Sequence, residues 1–158
     1  MQLRNLQAKD APLMLEWMHD RSVVEHLGAN FEQKTLDDCL TFIERAQTVT
    51  EHLHLAIVDE SDEYMGTVSL KNIGEGCAEF AITIRACAMG KGYSQYAMAQ
   101  ILDYGIHKLS LDAVYWCVAP VNCRAVRFYD KNHYRRASSV PERIRNSYHQ
   151  ELIWYMYR

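Results

Sequence analysis

The sequence predicts an α/β protein built on a single mixed, mostly antiparallel sheet of about seven strands, with helices on both faces. Three observations lead to this fold class. Two amphipathic helical patterns occupy the first third of the chain, three short apolar strands follow in the middle, and a strand, a glycine loop, a helix and another strand come next. At 158 residues, the chain is expected to form one domain over residues 1–158.

The first third of the chain predicts one strand and two helices. The strand runs from Gln2 to Leu6, and Asp10 is placed as the N-cap of a helix that ends near Asp20. Thr35 is placed as the N-cap of the second helix. Residues 21–34, between the helices, are polar and are predicted to form a mobile segment.

Three apolar segments in succession predict an antiparallel meander. Acidic residues separate the first two segments, and a turn signal over Asn72–Gly76 separates the last two. The third segment alternates, so Phe80 and Glu79 are expected on opposite faces of the sheet. The three predicted strands are Leu53–Val58, Tyr64–Lys71 and Cys77–Ile84.

The second half of the chain begins with a strand–loop–helix–strand unit. Ala97 and Ile101 mark the buried face of the helix, and the strand Ala113–Val118 that follows should lie parallel to the strand before the loop. Asn122 then caps a helix running to about Asn132. Two closing strands are predicted, at Tyr134–Ser138 and Glu151–Tyr157.

The composition excludes several function classes. The net charge of −3 argues against a protein that binds duplex nucleic acid. No signal peptide is recognisable and no apolar run approaches the ~18 residues of a membrane span, so no membrane partner is expected. The five cysteines are odd in number and lack a C-x-x-C pair, which favours reduced thiols in a cytoplasmic protein. His52 and His54 form the only close histidine pair and are expected to be exposed strand residues, so no metal is predicted.

The most informative stretch is residues 88–105, where a loop with Gly90 and Gly92 opens into a helix. Glycines let the backbone approach a ligand, and a helix start presents unpaired N–H groups at the positive end of its dipole. The sequence therefore predicts a phosphate or pyrophosphate site at the carboxyl ends of the parallel strands. A Walker A motif and a Rossmann-type acidic ribose clamp are both absent, which disfavours a different kind of nucleotide binder.

Three motifs resemble the GNAT superfamily of N-acetyltransferases. Met89-Gly-Lys-Gly-Tyr-Ser94 is similar to its Q/R-x-x-G-x-G/A acetyl-CoA motif, and the segment from Val118 to Tyr134 is similar to its V…N…A…FYEK.GF signature. The segment from Leu3 to Asp20 resembles the LR.L…D…EW..D opening of the ribosomal-protein and spermidine acetyltransferase-like branch. The resemblance covers essentially the whole chain.

The chain departs from the family pattern at three positions. Met89 replaces the usual Gln or Arg, and Ser94 replaces the last Gly or Ala. Neither change removes a main-chain donor, so binding through the backbone should survive. His133 stands where the family often has Gly, which changes the turn after the preceding helix.

The resemblance implies acetyl-CoA as co-substrate. Main-chain N–H groups of the loop would hold its pyrophosphate, and its pantetheine arm would pair with the preceding strand end like an extra strand. Lys91 and Arg127 could reach phosphates, although a surface lysine near a glycine loop is often only solvated. Asn122 would bind the cofactor, cap its helix, or do both. The implied cofactor-binding residues are Ile82, Thr83, Ile84, Met89, Gly90, Lys91, Gly92, Tyr93, Ser94, Gln95, Asn122 and Arg127.

Tyr129 and Glu79 are the candidate catalytic residues. Tyr129 matches a family tyrosine near the CoA sulfur, where a phenol can donate to the departing thiolate; the alternative is a core aromatic with a satisfied hydroxyl. Glu79 could accept the amine proton directly or through water. It could instead be a solvated strand carboxylate, and an amine that arrives neutral needs no base. Cys87 and Cys123 lack a recognisable activating base and are interpreted as structural.

Other residues are candidates for the acceptor side of the site. His19 and His26 could form its roof, although exposed loop histidines are the simpler interpretation. Trp154 could line the cleft from the last strand. Arg143 and Arg145 could face an anionic acceptor or could be solvated.

The sequence therefore favours an enzyme that moves an acetyl group from acetyl-CoA to a primary amine of a small metabolite or of a protein N-terminus. The alternative is a non-catalytic acyl-CoA-binding module with the same fold. Dimers are frequent in the resembling branch, so a homodimer is a candidate state.

Overall fold

A computed structural model describes residues 1–27 and 29–158. Within these residues, seven strands form one sheet in the order β1-β2-β3-β4-β5-β7-β6. The strands are β1 (Gln2–Asn5), β2 (Leu53–Val58), β3 (Tyr64–Gly74), β4 (Cys77–Ile84), β5 (Ala113–Val118), β6 (Arg135–Arg136) and β7 (Ile153–Tyr157). The helices are α1 (Ala11–Met18), α2 (Arg21–Val24), α3 (Leu36–Arg45), α4 (Tyr93–His107), α5 (Cys123–Lys131) and α6 (Glu142–Arg145), with 3₁₀ turns at Ala8–Asp10 and Ala86–Ala88.

The pairing of the strands confirms the predicted mixed sheet. Strands β1 to β4 form an antiparallel meander, and β7 pairs antiparallel with both β5 and β6. Among the described strands, β4 and β5 are the one parallel pair, and the α4 crossover joins them. The end of β4 and the end of β5 therefore lie at the same edge of the sheet, as predicted for the ligand site.

Helices cover both faces of the sheet, as predicted. On one face, α4 and α5 pack on Val68, Phe80 and Trp116. On the other face, α1 and α3 pack on a second cluster around Trp17 and Tyr64. Each fully buried large apolar side chain stabilises the fold by about 1.5–3 kcal/mol relative to an exposed one, so both faces hold the sheet firmly.

An aromatic cluster around Trp116 joins β4, β5, β7 and α5. The indole stacks on Tyr155 with ring centroids 5.9 Å apart, and Phe80 and Tyr134 meet it edge-on at 5.5 and 5.4 Å. Tyr129 from α5 completes the cluster, at 5.6 Å from Trp116. The rings fix α5 against the sheet beside the ends of β4 and β5.

Asp10 lies at the predicted helix start but does not cap it. Its side chain makes no capping bond to α1. The buried carboxylate instead accepts from Nη1 and Nη2 of Arg4, at 2.8 and 2.9 Å, and from the main-chain N–H of Gln7. A buried carboxylate needs charged partners more than a helix start needs a cap, so tertiary pairing decided its role.

Several predicted boundaries were wrong. Residues 21–34 include the short helix α2, and the side chain of Asp20 caps this helix by accepting a hydrogen bond from the N–H of Ser22. Gly28, in the same stretch, lies outside the described residues. Strand β3 continues to Gly74, and α6 was not predicted. Strand β6 has two residues because the chain pairs with β7 only at Arg135 and Arg136.

Candidate active site

The parallel strands β4 and β5 separate immediately after Glu79. Their pairing runs from Cys77 to Glu79, opposite Ala113–Tyr115, and stops there. From Phe80 to Ile84, β4 has β3 as its only strand partner among the described residues. Ile82, Thr83 and Ile84 thus present an unpaired main-chain edge toward β5, where the sequence analysis placed an extended ligand.

Gly66 allows this end of β4 to lie close against β3. A Cβ built on Gly66 would lie 2.4 Å from the carbonyl oxygen of Thr83. Only glycine fits at that distance, so the close approach of the two strands depends on it.

The glycine loop leads from β4 into α4 with the geometry of an anion site. Gly90 and Gly92 have φ of +77° and +89°, a region that side-chain-bearing residues rarely adopt. The first backbone hydrogen bond of α4 runs from Tyr96 N to Gly92 O, and no side chain caps the helix start. The N–H groups of Tyr93, Ser94 and Gln95 therefore precede the first helical bond and point out of the helix start. A Cβ at Gly90 would meet no atom within 4 Å, so the space beside the loop is open.

Basic side chains lie near this loop, but not all of those predicted reach it. Lys91 and Arg127 are exposed. Arg124, which the sequence analysis missed, lies with Nη1 at 3.3 Å from Sδ of Met89. Arg124 could have been predicted from its place in the first turn of α5, because the parallel strands bring that turn beside the glycine loop.

Asn122 caps α5, which confirms one of its two predicted roles. Its Oδ1 accepts from the N–H of Ala125 at 3.3 Å. A contact between Asn122 and the cofactor stays a prediction.

Tyr129 is a buried member of the aromatic cluster with an unused hydroxyl. Its ring centroid lies 5.0 Å from that of Tyr155. The ring is that of a core aromatic, the hydroxyl forms no hydrogen bond with any described residue, and its role in the chemistry stays a prediction. Burial raises the pKa of Tyr129 well above its ordinary value of 10, so the phenol keeps its proton at physiological pH.

Glu79 is buried, with 3% of its surface exposed, so the interpretation of a solvated strand carboxylate is wrong. Its Oε1 accepts a hydrogen bond from the hydroxyl of Tyr148. Lys71, its partner in the β3–β4 register, places Nζ 3.7 Å from the same oxygen. Lys71 could have been found from the meander register; Tyr148 carried no local signal, because it comes from the irregular segment before β7.

Cys117 adjoins this cluster but is not a nucleophile at neutral pH. Burial raises the pKa of the Cys117 thiol to about 11, which keeps it protonated. Cys87 and Cys123 are exposed, and the interpretation of both as structural rather than catalytic residues stays a prediction.

Of the residues predicted for the acceptor side, Trp154 lies near Glu79 through its contact with Tyr148, whereas His19 and His26 have no described contact with Glu79. Trp154 meets Tyr148 edge-on at 5.4 Å. His19 contacts the carbonyl of Lys34 through Nε2 at 2.9 Å, and His26 is exposed.

Arg143 is partly buried and has a structural role that the sequence analysis did not include, and a contact with an anionic acceptor stays a prediction. Its Nη2 donates to the carbonyls of Asn72 and Cys77, at 2.7 and 3.0 Å, and also to that of Gly74. This side chain ties α6 to the β3–β4 turn. Arg145 is exposed.

The two strand histidines are half-buried, which corrects the prediction of exposed residues. His54 Nδ1 lies 2.6 Å from Ser69 Oγ, and the imidazole packs on Phe42 with ring centroids 4.6 Å apart. Burial lowers the pKa of His54 from 6.5 to about 4. His52 accepts from the N–H of Asn72.

Two further features of the described residues bear on function. Residues 1–27 and 29–158 contain no cluster of three or more His, Cys, Asp or Glu side chains placed to hold a metal ion. In the same part of the chain, each helix is too short or too polar to cross a bilayer.

Comparison with known proteins identifies the family. A family model for the acetyltransferase (GNAT) domain matches residues 1–135. The chain belongs to the GNAT acetyltransferase family. This confirms the resemblance seen in the glycine-loop and α5 motifs, and it makes the protein a member of an acyltransferase family.

Individual relatives agree with this assignment. An uncharacterized N-acetyltransferase p20 from Bacillus licheniformis is 22% identical over 139 residues, covering 85% of this chain and 78% of the relative. The crystal structure of spermidine N-acetyltransferase from Vibrio cholerae, in complex with CoA and spermine, has a TM-score of 0.81 at 20% identity. It aligns over 99% of this chain and 94% of that chain. A mutant form of the Vibrio cholerae enzyme has a TM-score of 0.76 at 22% identity, with the same coverage. These structures show that the fold is the GNAT fold.

The residues of this GNAT protein fit an acyl-CoA ligand. A diphosphate needs main-chain donors and open space. The uncapped start of α4 provides the donors, and the empty space beside Gly90 provides the room. An extended amide-containing arm needs an unpaired strand edge, which β4 provides beyond Glu79. Arg124 adds a cation beside the loop.

Proposed function

We propose that this protein transfers the acetyl group of acetyl-CoA to a primary amine by direct attack. The observation that carries the proposal is the convergence of three elements at one edge of the sheet: the uncapped start of α4, the unpaired end of β4 and the free hydroxyl of Tyr129. We also take residues 1–158 as one catalytic domain.

The chain would hold the cofactor mainly through its backbone. The N–H groups of the glycine loop and of the first turn of α4 would bind the pyrophosphate, and Lys91, Arg124 and Arg127 would add positive charge. The main chain of Ile82 to Ile84 would pair with the pantetheine arm. Substitution of the usual Gln or Arg by Met89 leaves these main-chain donors in place.

Two side chains would handle the protons. When bound, acetyl-CoA supplies the acetyl carbon and the thiolate leaving group. Glu79 would take one proton from the ammonium, directly or through water, so that the nitrogen can form its bond to the acetyl carbon. Tyr129 would give its phenol proton to the sulfur as the carbon–sulfur bond breaks, and the second nitrogen proton would restore the phenol. The products are the acetylated amine, CoA with a free thiol and one released proton.

The acceptor is a primary amine of a small metabolite or a protein N-terminus. The Vibrio cholerae relative was crystallised with spermine, so polyamines belong in the first panel of acceptors to be tried. Glu79 favours a cationic amine, because a buried carboxylate attracts an ammonium group more strongly than a neutral group.

Calorimetry and turnover test the proposal in sequence. Titration with CoA, ATP and NAD should give heat with CoA alone. Loss of the acetyl-CoA thioester is then followed with spermidine, spermine, glucosamine, lysine and a dipeptide. Acetylation of at least one amine supports the proposed function. Binding of CoA without turnover of any amine favours the non-catalytic acyl-CoA-binding module, and absence of CoA binding contradicts both.

A further inference from the structure

Tyr148 is the one hydroxyl among the described residues that reaches the buried carboxylate of Glu79. It lies in the segment between α6 and β7, about 70 residues away in sequence, and its ring packs edge-on against Trp154. A side chain brought this far by tertiary structure and packed in place holds a defined position. The contact is therefore part of the folded site rather than of local chain geometry.

The two oxygens of Glu79 have different surroundings. The phenol of Tyr148 and the ammonium of Lys71 both face Oε1. Oε2 forms no hydrogen bond with any described residue. A carboxylate held through one oxygen keeps the lone pairs of the other oxygen for a proton from outside the protein.

We propose that Tyr148 is a positioning residue, whose hydroxyl holds Oε1 of Glu79 so that Oε2 is directed at the acceptor amine or at the water that relays its proton. This inference rests on the proposed function. It assigns to the segment before β7 a part in the chemistry that no motif of the sequence indicates.

The charges around the pair support this role. Lys71 from β3, Cys117 from β5 and Tyr148 are the titratable groups in contact with Glu79 or with each other, and Tyr115 is paired with Glu79 across the parallel strands. Burial raises the pKa of Tyr148 far above 10, and its bond to Glu79 raises it further. The phenol thus remains a donor throughout the pH range of any assay. A donor bonded to a carboxylate favours its ionised form, which is the form that accepts a proton.

Four variants test this role: Tyr148→Phe, Glu79→Gln, the double variant and Tyr115→Phe. Tyr148→Phe keeps the ring on Trp154 and removes only the hydroxyl, so it should fold. Tyr115→Phe is the matched control, because it removes a tyrosine hydroxyl in register with Glu79 that makes no hydrogen bond to it.

The first measurement is independent of turnover. Carboxyl ¹³C NMR at one fixed pH follows the signal of Glu79, which is assigned by its loss in Glu79→Gln. In Tyr148→Phe the chemical shift of this signal should change, because Oε1 has lost its phenol donor. In Tyr115→Phe it should stay as in the unmodified protein, because that hydroxyl makes no hydrogen bond to Glu79.

The second measurement uses the amine that the acceptor panel identifies. Tyr148→Phe should lower kcat about tenfold and leave the KM for acetyl-CoA unchanged. In the Glu79→Gln background the same change should alter kcat less than twofold, because the two residues act as one unit.

The outcomes separate this inference from the proposed function. An unmoved carboxyl signal of Glu79 and an unchanged kcat in Tyr148→Phe, with amine acetylation intact, would overturn the role of Tyr148 alone. An equal effect of Tyr115→Phe would overturn it too. Failure of every amine to react would overturn the proposed function and the positioning role together.

Discussion

The guanidinium of Arg85 donates to both carboxylate oxygens of Glu16, with Nε–Oε1 and Nη2–Oε2 distances of 3.0 and 3.1 Å. Arg85 directly follows β4, and its Nη1 also donates to the carbonyl oxygen of Tyr64 at 2.9 Å. One nearly buried side chain thus ties the exit of β4 to α1 and to β3. The segment that leads into the glycine loop is therefore held in place by hydrogen bonds to both α1 and β3.

Replacing Arg85 should loosen the start of the glycine loop. We expect Arg85→Met to lower the free energy of unfolding by about 2–3 kcal/mol, since the carbonyl of Tyr64 and the carboxylate of Glu16 lose a charged donor. The Kd for CoA should rise several-fold. Arg85→Lys should recover only part of both losses, because an ammonium cannot bond both oxygens of Glu16 in the bidentate arrangement. Urea unfolding and calorimetry measure these effects, with exposed Arg21→Met as control; an unchanged Kd in Arg85→Met would refute the anchoring role.

Gly92 should tolerate substitution poorly because it holds a left-handed conformation at the start of α4. Gly92→Ala should destabilise the protein by about 1–2 kcal/mol and weaken CoA binding, since an L side chain at φ of +89° strains the turn that presents the N–H groups. Gly92→Asn should lose less, because Asn adopts this conformation more readily. Thermal melts and CoA titration should show that stability and CoA affinity decrease from the parent protein to Gly92→Asn and then to Gly92→Ala. Equal CoA affinity for all three would show that the turn does not position the donors.

Removal of the Tyr129 hydroxyl should affect chemistry without affecting binding. Tyr129→Phe should lower kcat by about 10²-fold, as expected for loss of a general acid, and leave the Kd for CoA unchanged. The melting temperature should change by less than about 2 °C, because the hydroxyl has no partner to lose. Tyr134→Phe, in the same aromatic cluster, is the control and should retain full kcat. A Tyr129→Phe enzyme with unchanged kcat would remove Tyr129 from the mechanism.

The half-buried His54 should make stability depend on pH. Its pKa is about 4 in the folded protein against 6.5 for the free side chain, so the unfolded chain takes up a proton at a pH where the folded chain does not. Stability is therefore complete above about pH 6.5 and decreases as the pH falls toward 4. Solvent screening at this half-buried site limits the loss to about 1–2 kcal/mol.

The substitution His54→Asn tests this assignment. It retains a polar group beside Ser69 and removes the titration, so the decrease in stability between pH 6.5 and 4 should become shallower. Urea unfolding at several pH values measures the slope. A slope that is the same in the variant and the parent protein would assign the pH dependence to other groups.

Features that depend on neighbours in the chain were predicted correctly. The alternation of Phe80 and Glu79, the glycine loop before α4 and the cap at Asn122 are local properties of a strand, a turn and a helix start. The parallel pair followed as well, because a helix between two strands returns the chain to the same end of the sheet.

Features that depend on contacts between side chains of different elements were missed or misjudged. Asp10 has the residue type of a cap, yet Arg4 engages its carboxylate. A glutamate on a strand is usually exposed to solvent, yet the carboxylate of Glu79 is buried in contact with Tyr148 and Lys71. Whether a charged side chain can be buried depends on which donors the fold brings to it, and a local sequence pattern does not contain this information.

The amino-acid order alone determined the mixed-sheet fold class, the glycine loop that leads into α4 and the place of Tyr129 on α5, since each arises from periodicity, backbone freedom or a contiguous motif. Tertiary structure alone decided that Arg124 lies against the loop, that Arg85 anchors it and that Tyr148 contacts Glu79. These contacts join residues from separate elements, and the orientation of a side chain between packed elements is set by packing rather than by its sequence neighbours.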